Sequence, residues 1–215
     1  SDLQVSVDST AQIHPSAVIE PGARIGAGCE IGPFCWIGAH VELAENVVCT
    51  SHVVIRGQTK VGSDTRIFSF AVIGEIPQDL KFKGEVSQLE IGQRNTIREH
   101  VTINLGTQGG GGVTSIGDDC LLMAGCHIAH DARLGNRVII VNSAAIAGHV
   151  VIEDDVIVGG LCGVHQFVRL GKGAIIGAVT MVTNDVIPYG LVQASRGQLD
   201  GLNLVGLKRR GVDRQ

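Results

Sequence analysis

The chain has few aromatic side chains: they make up 3% of its 215 residues, with one Trp, one Tyr and five Phe. Helix-forming stretches are also sparse before the last fifteen residues. With so few large rings the sequence does not favour a bulky globular core. The 30 glycines, together with abundant Ile and Val, favour thin layers of strand joined by tight turns. The length fits one domain, or one domain with a small appendage.

Long apolar runs are missing as well. None approaches the roughly 20 residues needed to cross a membrane, and the pattern of a signal peptide is absent. We therefore expect a soluble, cytoplasmic protein without stable membrane insertion. A net charge of −4 gives no electrostatic reason to bind nucleic acid, although Lys208, Arg209 and Arg210 form a basic cluster.

The six cysteines contain no CxxC pair. Five of them occupy a place in the repeat described below that is filled elsewhere by Ala or Val: Cys29, Cys35, Cys120, Cys126 and Cys162. This pattern predicts buried thiols that act as small hydrophobic side chains. A disulfide framework or a zinc site is the less favoured alternative.

What the sequence does contain is a six-residue repeat, which starts near Val7 and is most regular from Ile116 to Ile187. An aliphatic residue opens each block, and a small residue, Val or Cys usually fills the fifth place, as in IGDDCL, LMAGCH and IAHDAR. A hexapeptide period predicts an all-β fold, a parallel β-helix. The first and fifth residues point inward, three hexads make one triangular coil, and coils stack at about 4.8 Å.

Two breaks interrupt the period. The first, 75–90, leaves the register unchanged, so we expect one whole coil's length to be replaced or decorated by an excursion. The second, 106–114 (GTQGGGGVT), shifts the register by one and requires a true loop. Long loops in a compact repeat are often functional.

The hexads stop after Pro188. The leucines that follow are compatible with a short helix or turn that covers the last coil: Leu199, Leu202, Leu204 and Leu207. We predict a β-helix domain over 1–190 and a C-terminal cap over 191–215, the start of a helical region that is otherwise missing.

Four of the eight histidines fall inside the most regular stretch: His127, His130, His149 and His165. Because positions eighteen apart share a column, His130, Gly148 and Gln166 should be stacked, with the other histidines beside them in a strip about 10 Å tall. Such a convergence indicates a site.

Three interpretations of this strip compete. The histidines could be ordinary surface residues, but their number and alignment argue against that. They could bind zinc, as histidines of adjacent coils do in the γ-type carbonic anhydrases. The third interpretation is an enzyme in which a neutral His130 acts as general base on a hydroxyl, Asp131 orients the ring, and the Gly148 backbone N–H serves as oxyanion donor.

The runs QDLK, HIAHD, AGHV, VHQF and GLKRRG occur in an order and spacing that closely resemble the UDP-N-acetylglucosamine O-acyltransferase family of lipid A biosynthesis, almost end to end. The resemblance implies a left-handed β-helix and a homotrimer with active sites between subunits. It implies transfer of an (R)-3-hydroxyacyl group from acyl carrier protein to the glucosamine 3-hydroxyl of UDP-N-acetylglucosamine. It implies no metal and no cofactor, because the acyl donor is carried on the phosphopantetheine of acyl carrier protein.

The resemblance also implies roles for particular residues. The catalytic residues would be His130 as base, Asp131 as its partner and Gly148 as oxyanion donor. Substrate would be contacted by Gln78, Asp79, Lys81, His127, His149, His165, Gln166, Asn203 and Arg209. The acyl-length stop would be Ala178, or else Met181.

The chain departs from the family in two places. Val205 stands where the family usually has Glu, and the chain stops at Gln215 where the family continues with several dozen helical residues. The chain is therefore either cut or naturally short. Two alternatives stay open: a trimeric sugar-nucleotide-binding relative without turnover, and an acyltransferase with a 3-amino sugar acceptor. The sequence does not give the acyl-chain length.

Overall fold

The computed structural model describes residues 5–212. Residues 6–192 form a parallel β-helix, as the hexapeptide period predicts, and it is left-handed, as the family resemblance implies. Within these residues, 28 short strands lie in three parallel sheets, here called A, B and C, and the chain visits them in turn. Only one α-helix, α1 (Leu204–Arg209), and one 3-10 turn (Gln108–Gly110) are found in the described part of the chain.

The strands are numbered along the chain. Sheet A contains β1 (Ser6–Val7), β4 (Arg24–Ile25), β7 (Glu42–Leu43), β10 (Gln58–Val61), β13 (Gln88–Ile91), β16 (Val113–Ile116), β19 (Arg133–Leu134), β22 (Val151–Ile152) and β25 (Arg169–Leu170). Sheet B contains β2 (Gln12–Ile13), β5 (Glu30–Ile31), β8 (Val48–Cys49), β11 (Arg66–Ile67), β14 (Thr96–Ile97), β17 (Leu121–Leu122), β20 (Ile139–Ile140), β23 (Ile157–Val158), β26 (Ile175–Ile176) and β28 (Leu191–Val192). Sheet C contains β3 (Val18–Ile19), β6 (Trp36–Ile37), β9 (Val54–Ile55), β12 (Val72–Glu75), β15 (Thr102–Asn104), β18 (His127–Ile128), β21 (Ala145–Ile146), β24 (Gly163–Val164) and β27 (Met181–Val182).

The core is a set of vertical columns of aliphatic side chains. In sheet C, for example, Ile55, Ile73, Ile103, Ile128 and Ile146 are stacked and fully buried. The register between neighbouring coils is eighteen residues, as in the pairs His127↔Ala145 and Ala145↔Gly163, which confirms the predicted columns. Each layer therefore buries its apolar residues only against the layers above and below it.

The turns at the three edges of the prism use a left-handed residue in most coils. Asp131, His149 and Phe167 have φ of 61°, 62° and 66° and follow one another up the edge between sheets C and A. The backbone N–H groups of the upper two residues reach down to the layer below, since His149 N donates to His130 O (3.1 Å) and Phe167 N donates to Gly148 O (3.2 Å). This repeated turn fixes the spacing of three side chains that lie at the candidate site.

The two breaks are insertions at that same edge, between sheets C and A. Gln88 pairs with Gln58, thirty positions earlier instead of eighteen, so the first break adds twelve residues to a coil. Of the two expected forms, the excursion decorates a coil and does not replace one, because β10 and β13 lie on adjacent layers. Val113 pairs with Gln88, twenty-five positions apart, so the second break adds seven residues and shifts the register by one, as predicted.

The C-terminal segment contains the expected short helix, α1, which Asn203 caps by accepting a hydrogen bond from the N–H of Gly206 (2.9 Å). The strand ladder extends to β28, which pairs with β26. Leu199 and Leu202 are 94% and 77% exposed, so the expectation that the leucines cover the last coil was wrong for these two, whereas Leu207 in α1 is half-buried. The domain boundary at residue 190 stays a prediction.

The predicted burial of the thiols is confirmed, because all six cysteines are free and buried. Among residues 5–212 no helix has the length and apolar character needed to cross a membrane.

Candidate active site

His130 and Asp131 lie at the turn after β18, on the edge between sheets C and A. Although this is a corner of the prism, His130 is only 7% exposed and Asp131 only 3%. The Nδ1 atom of His130 lies 2.8 Å from Oδ2 of Asp131, within hydrogen-bond distance. The two side chains therefore form a buried imidazole–carboxylate pair, the arrangement that orients a histidine base.

The carboxylate of Asp131 is held by the second break. Thr107 donates its backbone N–H to Oδ1 (2.8 Å) and its hydroxyl to Oδ2 (2.7 Å). The backbone N–H of Asp131 donates to the hydroxyl of Thr114 (2.8 Å). The sequence reasoning named neither threonine. The available signal was the break itself, GTQGGGGVT, which predicted a functional loop without saying which of its residues matter.

These hydrogen bonds determine which nitrogen of the neutral His130 ring carries the proton. Because Oδ2 of Asp131 only accepts, Nδ1 of His130 must carry the proton that joins them. In the neutral ring Nε2 then has a free lone pair and can take a proton from a substrate hydroxyl. The position of this proton is assigned from the hydrogen-bond partners.

Gly148, one layer above, lies directly against this ring. A Cβ atom built on Gly148 would lie 2.7 Å from Nε2 of His130 and 2.6 Å from Cε1, so only glycine fits this close approach. The backbone N–H of Gly148 has no hydrogen-bond acceptor within the described residues. A free N–H beside the basic nitrogen can stabilise an oxyanion that forms there.

His149 and Phe167 continue the same edge upward. The His149 ring meets the His130 ring edge-on, with centroids 5.0 Å apart and an interplanar angle of 86°. Its face stacks on Phe167 at 4.4 Å and 3°. The sequence analysis did not name Phe167, although it lies one coil above His149 in the predicted column.

His130, Asp131 and His149 place possible metal ligands within 4.8 Å of one another. However, the two oxygens of Asp131 already accept three hydrogen bonds, from Thr107 and His130. A metal ion would have to displace these contacts, whereas a hydrogen-bonded base keeps all of them. The geometry therefore favours the acid–base interpretation over a zinc site.

The remaining histidines flank this pair. His127 is half-buried on sheet C, with Nδ1 2.7 Å from the hydroxyl of Thr102, and burial together with nearby His130 lowers its pKa. It is therefore a mainly neutral, hydrogen-bonded side chain near neutral pH. His165 and Gln166 are exposed two layers above, where Nδ1 of His165 lies 3.2 Å from the carbonyl oxygen of Gln166.

The two insertions enclose a cleft of about 810 Å³ beside His149 and Phe167. Asp79 and Lys81 line it, and Gln78 lies next to them, exposed. Lys83 adds a second cationic side chain to the lining. Glu85 joins the two insertions, since Oε1 accepts the backbone N–H of Gln108 at 3.4 Å. The lining is charge-balanced, because Lys81 and Lys83 are accompanied by Asp79 and Glu85, and the two lysines are the groups that can contact an anionic part of a ligand.

The other predicted site residues lie away from the pair within one chain. Asn203 and Arg209 belong to the cap and last turn of α1, and both are exposed. Ala178 is exposed at the edge between sheets B and C, and Met181 begins β27 on sheet C. A separate cleft of about 300 Å³ on sheet A, lined by alternating charges such as Arg24, Glu42 and Lys60, contains none of the predicted residues.

Comparison with known proteins agrees with this fold. The family model "Bacterial transferase hexapeptide (six repeats)" matches residues 5–39, 16–51 and 114–148. The model "Udp N-acetylglucosamine O-acyltransferase; Domain 2" matches residues 185–215. The crystallised UDP-N-acetylglucosamine acyltransferase from Campylobacter jejuni is 44% identical, with a TM-score of 0.82 over 93% of this chain and 78% of that one.

Two relatives carry the name acyl-[acyl-carrier-protein]–UDP-N-acetylglucosamine O-acyltransferase. The one from Paracoccus denitrificans (strain Pd 1222) is 72% identical over 149 residues, which are 69% of this chain and 57% of the relative. The one from Verminephrobacter eiseniae (strain EF01-2) is 52% identical over 155 residues, 72% of this chain and 59% of the relative. The matches thus span less than three fifths of the length of these relatives.

Proposed function

Since this chain belongs to the UDP-N-acetylglucosamine O-acyltransferase family, we propose that it transfers an (R)-3-hydroxyacyl group from acyl carrier protein to the 3-hydroxyl of UDP-N-acetylglucosamine, the first step of lipid A biosynthesis. The observation that carries this proposal is the His130 ring, which Asp131 holds with Nε2 free and close to Gly148. Relatives with these names act on this pair of substrates.

The reaction follows from these groups. Nε2 of His130 takes the proton of the acceptor hydroxyl while that oxygen attacks the thioester carbonyl carbon. The carbonyl oxygen becomes an oxyanion and is stabilised by the N–H of Gly148. The C–S bond then breaks, and the phosphopantetheine sulfur leaves and receives the proton from His130. A C–O ester bond has replaced the C–S bond, and the free thiol stays on acyl carrier protein. The chain's own residues need only move one proton, so no cofactor of its own enters the proposal.

The cleft between the insertions is the proposed place for the sugar nucleotide. Lys81 and its neighbours Gln78 and Asp79 are proposed to contact it, and the presence of two lysines in the lining supports a diphosphate there. His127, His149, His165 and Gln166 are proposed to line the path of the reacting groups. Asn203 and Arg209 are proposed to contact the nucleotide of a neighbouring subunit, because they lie away from His130 in their own chain. How Val205 affects that contact stays open to experiment.

The acyl chain is proposed to lie on the outer face of sheet C. Above His127 this face carries Ala145 and Gly163, whose small side chains leave a shallow strip. Met181 closes the strip on the next layer, since its Sδ lies 2.8 Å from a Cβ built on Gly163. Met181 and Ala178 are therefore the proposed length stops.

We also propose a homotrimer with closed, heterologous contacts. The outward residues that open the nine strands of sheet C include no Asp, Glu, Lys or Arg. The edge between sheets B and C carries a stack of rings, Phe34, His52, Phe70 and His100, with centroids 5.0, 5.0 and 5.2 Å apart. Phe34 and Phe70 are 62% and 51% exposed. An uncharged face beside an aromatic edge is typical of a surface that another subunit covers.

The proposed compartment is the cytoplasm, where acyl carrier protein and the sugar nucleotide would be the partners. Six unpaired thiols support a reducing environment.

The test is acyl transfer from acyl carrier protein by the wild type, by His130→Ala and by His14→Ala. Loss of the base should lower turnover by about two to four decades. His14→Ala is the matched control, since its Nδ1 is also hydrogen-bonded, to Ser16 (2.8 Å), but on the first coil. Supplying both the 3-hydroxyl and the 3-amino acceptor decides between them. If the wild type binds the sugar nucleotide but transfers acyl groups to neither acceptor, the protein is a sugar-nucleotide-binding relative without turnover. If His130→Ala keeps near-full activity, His130 is not the general base.

A further inference from the structure

We propose that Phe167 is a positioning residue of the His130–Asp131 pair and acts through His149. The kinetic part of this inference rests on the proposed acyl transfer, whereas its structural part concerns the free protein. Phe167 sits one layer above His149 at the same left-handed turn, and its ring lies flat on the imidazole at 4.4 Å and 3°. The ring is 68% exposed, so it contributes little to the core.

The His149 ring has no hydrogen bond within the described residues that would fix its orientation. Its nearest polar contact is from Nδ1 to Oδ2 of Asp131, at 3.8 Å, which is too long for a hydrogen bond. Two ring contacts therefore locate His149: its edge-on contact with His130 and its stacking on Phe167. Aromatic stacking of this kind adds about 0.5–1.5 kcal/mol beyond simple burial.

The location of His149 matters because of the atom it faces. Oδ2 of Asp131 already accepts from His130 (2.8 Å) and from the hydroxyl of Thr107 (2.7 Å). A shift of about 1 Å would bring Nδ1 of His149 into hydrogen-bond distance of the same oxygen. His149 would then compete with His130 for the group that orients it. The Phe167 ring holds His149 back, so Asp131 serves the base alone.

Three substitutions of Phe167 distinguish the positioning of His149 by a flat ring from simple apolar packing or substrate contact. Phe167→Ala removes the ring, Phe167→Leu keeps apolar bulk without a flat face, and Phe167→Tyr keeps the flat face. We expect kcat to fall on the order of 10-fold in Phe167→Ala, less in Phe167→Leu, and to return in Phe167→Tyr. Because Phe167 also lines the proposed sugar-nucleotide cleft, KM for the sugar nucleotide should rise by less than kcat falls. Such a pattern reports lost orientation of the base and not lost substrate binding.

Tyr189→Ala is the matched control. Tyr189 occupies the same kind of left-handed turn (φ 58°), its ring is 74% exposed, and it covers Gly173 on another edge of the prism. Its removal should leave kcat unchanged. If KM rises in Phe167→Ala while kcat holds, Phe167 is a substrate contact and the inference is overturned.

A spectroscopic measurement tests the same idea without substrate. The proton on Nδ1 of His130, shared with Asp131, should give one low-field proton resonance in the wild type. In Phe167→Ala that resonance should shift and broaden, and Phe167→Tyr should restore it. An unchanged resonance overturns the inference. Because this measurement needs no turnover, it decides the role of Phe167 even if the wild type transfers no acyl group.

Discussion

Replacing Asp131 by Asn tests the active-site reasoning most sharply, because the change conserves shape while it removes the negative charge and replaces one accepting oxygen by a donating NH₂ group. The carboxylate accepts from the backbone N–H of Thr107, from its hydroxyl and from Nδ1 of His130. The backbone N–H cannot rotate, so it needs an acceptor at the position of Oδ1. The amide oxygen must take that position, which turns the amide NH₂ towards His130.

This orientation forces the wrong form of the base. Nδ1 of His130 then has to accept from the amide, so the ring proton moves to Nε2 and no basic lone pair faces the substrate. We expect a loss of about 10³–10⁴ in kcat, similar to that of His130→Ala. Because the two groups act as a unit, the double substitution should lose no more than either single one.

The same substitution should leave the fold almost intact. The hydroxyl of Thr107 can rotate to accept from the amide, so the cost is about 1 kcal/mol from weaker, uncharged hydrogen bonds. Asp131→Ala is the contrasting variant, because it leaves the backbone N–H and the hydroxyl of Thr107 without an acceptor. Each unsatisfied donor should lower the free energy of unfolding by about 1–3 kcal/mol. Turnover with acyl carrier protein as donor and thermal unfolding are the two measurements. Turnover of Asp131→Asn within tenfold of the wild type would refute the assigned tautomer.

Three further outcomes can be checked. Burial raises the pKa of Cys126 to about 12 and that of Cys120 to about 11. A thiol reagent at pH 8 should therefore react with none of the six buried cysteines in the folded protein and with all six in denaturant. Burial lowers the pKa of His127, so the unfolded chain binds the proton more readily than the folded protein. The stability linked to this residue is therefore present above about pH 6.5 and is lost as the pH falls through the folded-state pKa. We expect His127→Asn to reduce the fall in Tm between pH 7 and pH 5. Met181→Ala and Ala178→Gly should each shift selectivity towards longer acyl donors in a competition assay, since a methylene is worth about 1–3 kcal/mol in such a pocket. An unchanged selectivity profile in both variants would place the length stop elsewhere.

The repeat made most of the scaffold predictable. A side chain at a given place in a hexad meets the same neighbours eighteen residues away, so the column of His130 and Gly148 follows from counting alone. The same count places Phe167 above His149. That contact was available to sequence reasoning, but a lone phenylalanine carries no chemical signal that draws attention to it.

The insertions could not be predicted in the same way. A twelve-residue insertion is two hexads long, so the register gave no sign that β13 would lie directly against β10. The partners of Asp131, Thr107 and Thr114, come from the second insertion and from the strand that follows it. The positions of these two threonines depend on the path of the insertion back to sheet A, and the hexapeptide repeat does not specify that path.

Both insertions leave from sheet C and return to sheet A on successive layers, at the edge that carries His130. Twelve extra residues after β12 leave the pairing of Gln58 with Gln88 in register. The coils of the prism set the positions of His130 and Asp131, and the excursions build the walls around them; the second excursion also supplies Thr107, which holds the Asp131 carboxylate. The first excursion can be exchanged between relatives without disturbing the hydrogen bonds of Asp131, whereas an exchange of the second must keep Thr107. Substrate range can in this way diverge while the reaction chemistry is inherited unchanged.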